Sequence, residues 1–347
     1  MEKIKVGILG CTGSVGQKFI QLLEDHPVFE IAELAASERS ARKSYREASK
    51  WMMDRPLNSR IADMTVLKAG DKLESGVLFS ALDSSVAGEI ETLYAKAGHV
   101  VISNAKNHRF DKHVPLIIPE VNPEHLEMTK DQKIGKGCIV TNPNCSTIGL
   151  VMALKPLHDK FGIEKINVVT MQAMSGAGYP GLSSMDIFDN VIPFIDGEEE
   201  KIETEPNKIL GEYSQREVVK LAEIDIAAQC NRVNVIDGHL ETVQIKFKEK
   251  PDKISIIQAW DYFIGEPQEL GCYSAPTVPI HYFEEDNFPQ PRLHRNIENG
   301  MAVSVGRLRK CNHYDYKFVV MSHNTIRGAA GGTILIAELM EKKGMLK

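Results

Sequence analysis

The 347 residues are enough to bury a substantial core and, at ordinary domain sizes, to form two domains. Hydrophobic residues make up 43% and charged residues 25%, an ordinary soluble globular balance. With 41 basic against 47 acidic residues the net charge is -6, which excludes a general nucleic-acid binder, because that attraction needs clustered positive charge. A small anionic substrate stays open, since a site needs only a few local cations.

The N-terminus, MEKIKVGILGCTG, has an apolar stretch too short for a signal peptide or a membrane span. No later run reaches the ~18 apolar residues of a membrane helix, so the expectation is a cytosolic protein with no membrane partner. The six cysteines form no CxxC pair, and a disulfide framework is not expected in a reducing compartment.

KIKVGIL (3–9) is a short apolar run ending before a glycine-rich turn, and it suits a buried parallel strand. QKFIQLLEDH (17–26) has helical spacing, and FEIAELAAS (29–37) is a second strand. Strand, turn, helix and strand fit one βαβ unit. GVLFSAL (76–82), HVVISNA (99–105) and GCIVTN (137–142) are further strands, with a helix over 87–98. The pattern through about residue 143 predicts a Rossmann-type doubly wound parallel sheet. Beyond it, 146–162 predicts a helix that Pro156 should kink or end. KINVVTMQAM, RVNVIDGHLETVQIKFK, MAVSVGRLR and YKFVVMSHN are strands with few helices between them, which predicts an α+β domain with a mixed or antiparallel sheet. The acidic segment 196–206 reads as solvated, 276–294 with its four prolines as mostly loop, and 326–344 as a final helix.

Gly10, Gly13 and Gly16 lie three apart, between a strand and a helix. In that context Gly10 makes the tight turn, Gly13 lets the backbone approach a pyrophosphate, and Gly16 permits close helix–strand packing; the helix N-terminus offers free N–H groups. Thr12, Ser14 and Val15 complete this dinucleotide loop. About 20 residues on, an NAD site carries an acid for the ribose hydroxyls. Here Ser37, Arg39 and Ser40 instead suit a 2′-phosphate, with Glu38 pointing to solvent. The cofactor expected is NADP(H), and Ser80 at the end of its strand is a further candidate contact.

Cys145, in TNPNCST, follows a strand and opens a helix, where a helix N-terminus should lower a thiol pKa. It is the candidate nucleophile. Among eleven histidines, His239 follows an Asp-Gly turn at the start of a strand. On spacing alone it reads equally as a surface histidine.

The chain resembles the aspartate-semialdehyde dehydrogenase family, in its fungal and archaeal branch. The resemblance runs nearly end to end through GCTGSVG, ASERS, SNAKNHR, IIPEVNP, TNPNCST, MQAMSGAGYPG, EPNKILG, RVNVIDGHLE, MAVSVGRLR and HNTIRGAAGG. It implies a glyceraldehyde-3-phosphate-dehydrogenase-like architecture: a dinucleotide-binding domain (1–143 and 324–347) and a catalytic and dimerisation domain (144–323), in a homodimer or homotetramer. It implies Cys145 as nucleophile, His239 as acid/base with a pKa near the working pH, and Gln172 orienting the acyl group. Arg232 would clamp the substrate carboxylate, Glu205 would face its ammonium, and Lys208, Arg109 and Asn144 would form a phosphate pocket. Ser175, Gly176 and Asn324 would lie near the nicotinamide. The implied substrates are L-aspartate 4-semialdehyde and phosphate, with no metal. One departure is Ile336 in the last helix, where relatives often carry asparagine. Malonyl-CoA reductase on the same scaffold and a non-catalytic dinucleotide-binding sensor are the alternative readings.

Overall fold

The computed structural model describes residues 2–346. The N-terminal half builds a six-stranded sheet of β1 (Ile4–Leu9), β2 (Phe29–Ala36), β3 (Val66–Lys68), β4 (Val77–Ser80), β5 (Val100–Ser103) and β6 (Cys138–Thr141). All its pairs are parallel, in the order β3-β2-β1-β4-β5-β6. This is the dinucleotide-binding order, in which the reversal between β1 and β4 opens a crevice at the strands' carboxyl ends. Helices α1 (Ser14–Leu23) and α2 (Ser84–Ala97) cover the sheet, so β4 is buried along its whole length, as a strand covered on both faces must be.

The rest folds around α3 (Cys145–Phe161) and a seven-stranded mixed sheet. After β7 (Ile163–Gln172) and the short β8 (Val191–Ile192) come α4 (Glu198–Ile209) and a separate hairpin, β9 (Glu212–Ser214) with β10 (Val218–Lys220). Then follow β11 (Asp225–Val233), β12 (His239–Phe247), α5 (Lys253–Asp261), β13 (Ile280–Phe283), β14 (Val303–Lys310) and β15 (Tyr316–Ser322). The order is β13-β14-β15-β12-β7-β11-β8, parallel for β7–β11 and β13–β14 and antiparallel elsewhere. β7 and β12 alternate buried with less buried residues, so one face of this sheet packs under α3.

Three segments differ from the sequence expectation. α3 runs unbroken through Pro156; a proline frees carbonyls in the preceding turn, and the Trp260 indole donates to Ala153 O at 2.9 Å. The proline-rich stretch holds β13, whose IHYF core contains no proline and pairs with β14. The acidic segment is helix α4, with Glu198 and Glu205 buried; its three leading glutamates suit the positive end of a helix dipole.

A π-helical turn (Ile326–Ala330) leads into α6 (Gly331–Lys342). Ile334, Ile336, Leu339 and Met340 join the core of the first sheet with Val6, Ile8 and Phe19. Arg327 in the π turn donates twice to Glu120, at 2.6 and 2.7 Å, with both side chains out of solvent. Breaking one partner would strand a buried charge, so this pair fixes where the turn sits.

Beneath the site, Glu241 is 1% exposed, and neither carboxylate oxygen has a partner among the described residues. Burial pushes its carboxyl well above the usual value of 4.5. A raised folded pKa contributes stability that is full below the unfolded value and lost as pH climbs above it. Glu241→Gln, which cannot ionise, should therefore melt close to the wild type near pH 4 and at a higher temperature by pH 8. A melting difference that stays flat between those pH values would refute this.

Candidate active site

Cys145 is the first residue of α3. Asn144 caps that helix, its Oδ1 accepting from Ser146 N at 3.0 Å and Thr147 N at 3.2 Å. The π turn lies directly on Cys145: a Cβ on Gly328 would fall 2.7 Å from Cys145 Cβ, so only glycine fits there. Cys145 Sγ stands 3.2 Å from His239 Nε2. The expected fall in the thiol pKa is not found. Burial first, then the Glu198 carboxylate, push it up to about 12, outweighing Arg232, Lys201 and Arg109. The helix end cannot help much, because the Asn144 side chain already takes two of its N–H groups.

His239 opens β12 and is fully buried. Its Nδ1 accepts the Ala173 N–H at 3.0 Å. A neutral ring that accepts at Nδ1 carries its proton on Nε2, toward the sulfur. Burial, then the Arg232 charge, hold the imidazolium pKa down to about 3. An imidazolium would also aim Nδ1–H at the Ala173 N–H. This corrects the expectation of a histidine titrating near the working pH.

Arg232 pairs across the sheet with Gln172 and is 6% exposed. Its Nη1 donates to Ala173 O at 2.7 Å, and among the described residues no carboxylate forms an ion pair with it. Gly176 lies against both partners: a Cβ there would meet Arg232 Nη1 at 2.7 Å and His239 Cε1 at 3.3 Å. Asn324 links this group, donating to Ser175 Oγ at 2.7 Å and accepting from Gly238 N at 2.9 Å. Gln172 donates from Nε2 to Thr170 Oγ1 and to Glu198 Oε2, both at 3.3 Å. The structure thus brings Cys145, His239, Arg232, Gln172, Ser175, Gly176 and Asn324 together from both ends of the chain.

The residues expected to hold phosphate and ammonium are buried next to this group and bonded to protein. Lys208 Nζ donates to the carbonyls of Arg109, Asp111 and Val114, at 2.5, 3.3 and 2.9 Å, so its three protons are engaged. Arg109 donates to Glu205 Oε1 at 2.7 Å and to Asn104 O at 2.8 Å. Glu205 Oε2 accepts Asn144 N at 2.8 Å. Each Glu205 oxygen and both ends of the Asn144 amide therefore already have a protein partner, while the buried Arg109 Nε has none among the described residues. Glu198 was missed by the sequence reading. The available signal was its seven-residue spacing from Glu205, two helical turns, which puts both on one face of α4.

The dinucleotide loop fits its ligand. A Cβ on Gly10, at φ +75°, would lie 2.4 Å from Ala81 O, and one on Gly16 would lie 2.3 Å from Gly10 O. Gly13 is the N-cap of α1 and no side chain caps that end, leaving it open for a phosphate. Thr12, Ser14 and Val15 are half-buried around it. Ser37 and Arg39 are exposed at the end of β2, while Ser40 is buried. Glu38 turns to the surface and pairs with Lys68 at 3.1 Å. Ser80 is a correction: its hydroxyl is buried and donates to Glu91 at 2.6 Å, so it is committed to the interior. Among the described residues no His/Cys/Asp/Glu group is built to hold a metal, and no helix is long and apolar enough to cross a membrane.

Comparison with known proteins agrees with this geometry. Residues 5–129 match a family model described as semialdehyde dehydrogenase, NAD binding domain, and 154–327 match semialdehyde dehydrogenase, dimerisation domain. An aspartate-semialdehyde dehydrogenase from Schizosaccharomyces pombe is 51% identical over 99% of both chains. One from Methanothermobacter thermautotrophicus is 47% identical over 98% of this chain and 99% of its own. The crystal structure of the Candida albicans aspartate semialdehyde dehydrogenase with NADP superposes with a TM-score of 0.92, at 44% identity over 99% of this chain and all of its own. The chain belongs to the aspartate-semialdehyde dehydrogenase family.

Proposed function

We propose that this enzyme interconverts L-4-aspartyl phosphate and L-aspartate 4-semialdehyde through a thioester on Cys145, using NADP(H), in the biosynthesis of lysine, methionine and threonine. The observation that carries the reading is the buried Arg232, which forms no ion pair with an acid among the described residues and stands beside a Cys145–His239 pair. An unpaired buried guanidinium is costly unless an anion completes it, and a substrate carboxylate supplies the two-pronged match.

Attack by Cys145 forms an S–C bond and breaks the C–O bond to phosphate; the thiol proton leaves with the phosphate. The chain can hold the dinucleotide at Gly10–Gly16, with Ser37 and Arg39 beside the 2′-phosphate and Ser175, Gly176 and Asn324 beside the ring. When bound, NADPH supplies the hydride that reduces the thioester. His239 then acts as a neutral donor, offering Nε2–H to the oxyanion on the thiohemiacetal carbon. That oxyanion collapses by breaking the C–S bond, which frees the aldehyde and returns the thiolate. The thiolate takes up the one proton that the net reaction consumes. No step requires an imidazolium.

The catalytic domain is read as 144–323 and the dinucleotide domain as 1–143 with 324–347, in a cytoplasmic homodimer or homotetramer. A second copy has an apolar surface to cover: Met185, Phe188 and Phe194 are 86%, 73% and 64% exposed, beside the edge strand β8.

Mixing enzyme with L-aspartate 4-semialdehyde and NADP but no phosphate should give a burst of NADPH of about one per site, with the acyl group on Cys145 by mass spectrometry. Added phosphate should restore turnover. Steady NADPH production without phosphate, or an adduct elsewhere, would refute the thioester route. NADPH oxidation driven by malonyl-CoA alone would move the substrate class.

A further inference from the structure

Glu198 sits at the start of α4, 8% exposed, and its carboxylate is shared by both sides of the nucleophile. Oε2 accepts from Asn144 Nδ2 at 2.7 Å and from Gln172 Nε2 at 3.3 Å, while Oε1 accepts from Lys201 at 2.8 Å. An amide nitrogen has two protons. Those of Gln172 go to Glu198 and Thr170. A flipped amide would set its oxygen against the carboxylate, so the flip is forbidden by charge. The same logic fixes Asn144, whose oxygen caps α3 while its nitrogen reaches Glu198. The polar atom of Gln172 left without a protein partner among the described residues is Oε1, on the sheet face that carries Arg232 and His239.

We infer that Glu198 is a positioning residue of this site, which locks the Asn144 and Gln172 amides so that Gln172 presents only an acceptor to the substrate. An acceptor there suits a substrate ammonium and rejects a carbonyl or phosphate oxygen. The inference rests on the thioester reading for its substrate, but the locking itself does not. The Glu198 charge also faces the thiol. The groups around Cys145 are Glu198, which opposes the thiolate, Arg232, Lys201 and Arg109, which favour it, and His239 on Nε2.

Two measurements on the full-length enzyme test this. The first is a double-mutant cycle on kcat/KM for L-aspartate 4-semialdehyde, with Glu198→Gln, Gln172→Ala and both together. Glu198→Gln should cost on the order of 10-fold alone and clearly less in the Gln172→Ala background, because much of its effect runs through that amide. Additive losses would overturn the inference. The second needs no substrate: the rate of Cys145 alkylation by iodoacetamide against pH. Glu198→Gln should shift the profile to lower pH, and so should Glu198→Ala; merely structural damage would not move the midpoint in that direction. Superposed profiles would overturn the placement of Glu198 beside the thiol. A wild type inactive on this substrate, with the profile shifted as expected, would sink the substrate reading and leave the locking intact. Unchanged NADPH affinity by fluorescence establishes that each variant is folded.

Discussion

Cys145→Ala and Cys145→Ser should be equally inactive, each losing on the order of 10⁴-fold or more in kcat, as removal of a covalent nucleophile does. The serine result is the informative one. A serine nucleophile needs a base that takes its proton, and a base of that kind is a histidine whose far nitrogen donates to a carboxylate. Here the far nitrogen, Nδ1, accepts the Ala173 N–H instead. His239 is therefore held neutral with its proton already on the side facing residue 145, and it has nothing to offer a hydroxyl that must be deprotonated. The thiol works because its proton leaves with the phosphate. Measured with enough enzyme to resolve the phosphate-free burst, neither variant should show one, while both keep NADPH affinity. A Cys145→Ser variant with more than about a hundredth of wild-type kcat would restore His239 as a general base.

The same interplay explains which parts of the molecule were legible in the sequence. The β1–α1–β2 unit was readable because its causes are local: Gly16 sits where a Cβ would strike the backbone of Gly10 and Cys11, and the apolar runs of a parallel sheet are continuous. The place of Cys145 between a strand and a helix was readable from the sequence. Its pKa was not, because what buries it comes from the other end of the chain, the π turn at Gly328, and the charge that opposes it comes from Glu198. The protein partners of Lys208 and Glu205 were not legible for a related reason. In the sequence both residues look like charges free to meet a ligand, yet three carbonyls of the 109–114 loop take the lysine and the Arg109 guanidinium takes the glutamate. Charge in a sequence does not say which partner is nearest in space.

Arg232→Met should lower kcat/KM for L-aspartate 4-semialdehyde on the order of 10²–10³-fold, mainly through KM, the cost of removing one partner from a buried charge pair. The rest of the site argues the direction of two further effects. Arg232 holds the imidazolium of His239 down and favours the Cys145 thiolate. Without it, the thiol loses its strongest favourable charge, and iodoacetamide alkylation should shift to higher pH, opposite to the shift expected for Glu198→Gln. Stability should not suffer in proportion to activity. Arg232 is buried with no carboxylate in ion-pair contact among the described residues, and burial disfavours its charge, so methionine of similar length relieves that cost while giving up one hydrogen bond to Ala173 O. The melting temperature of the free enzyme should stay level or rise. A fall in melting temperature with kcat/KM largely kept would mean that Arg232 holds the sheet together and that another group binds the carboxylate.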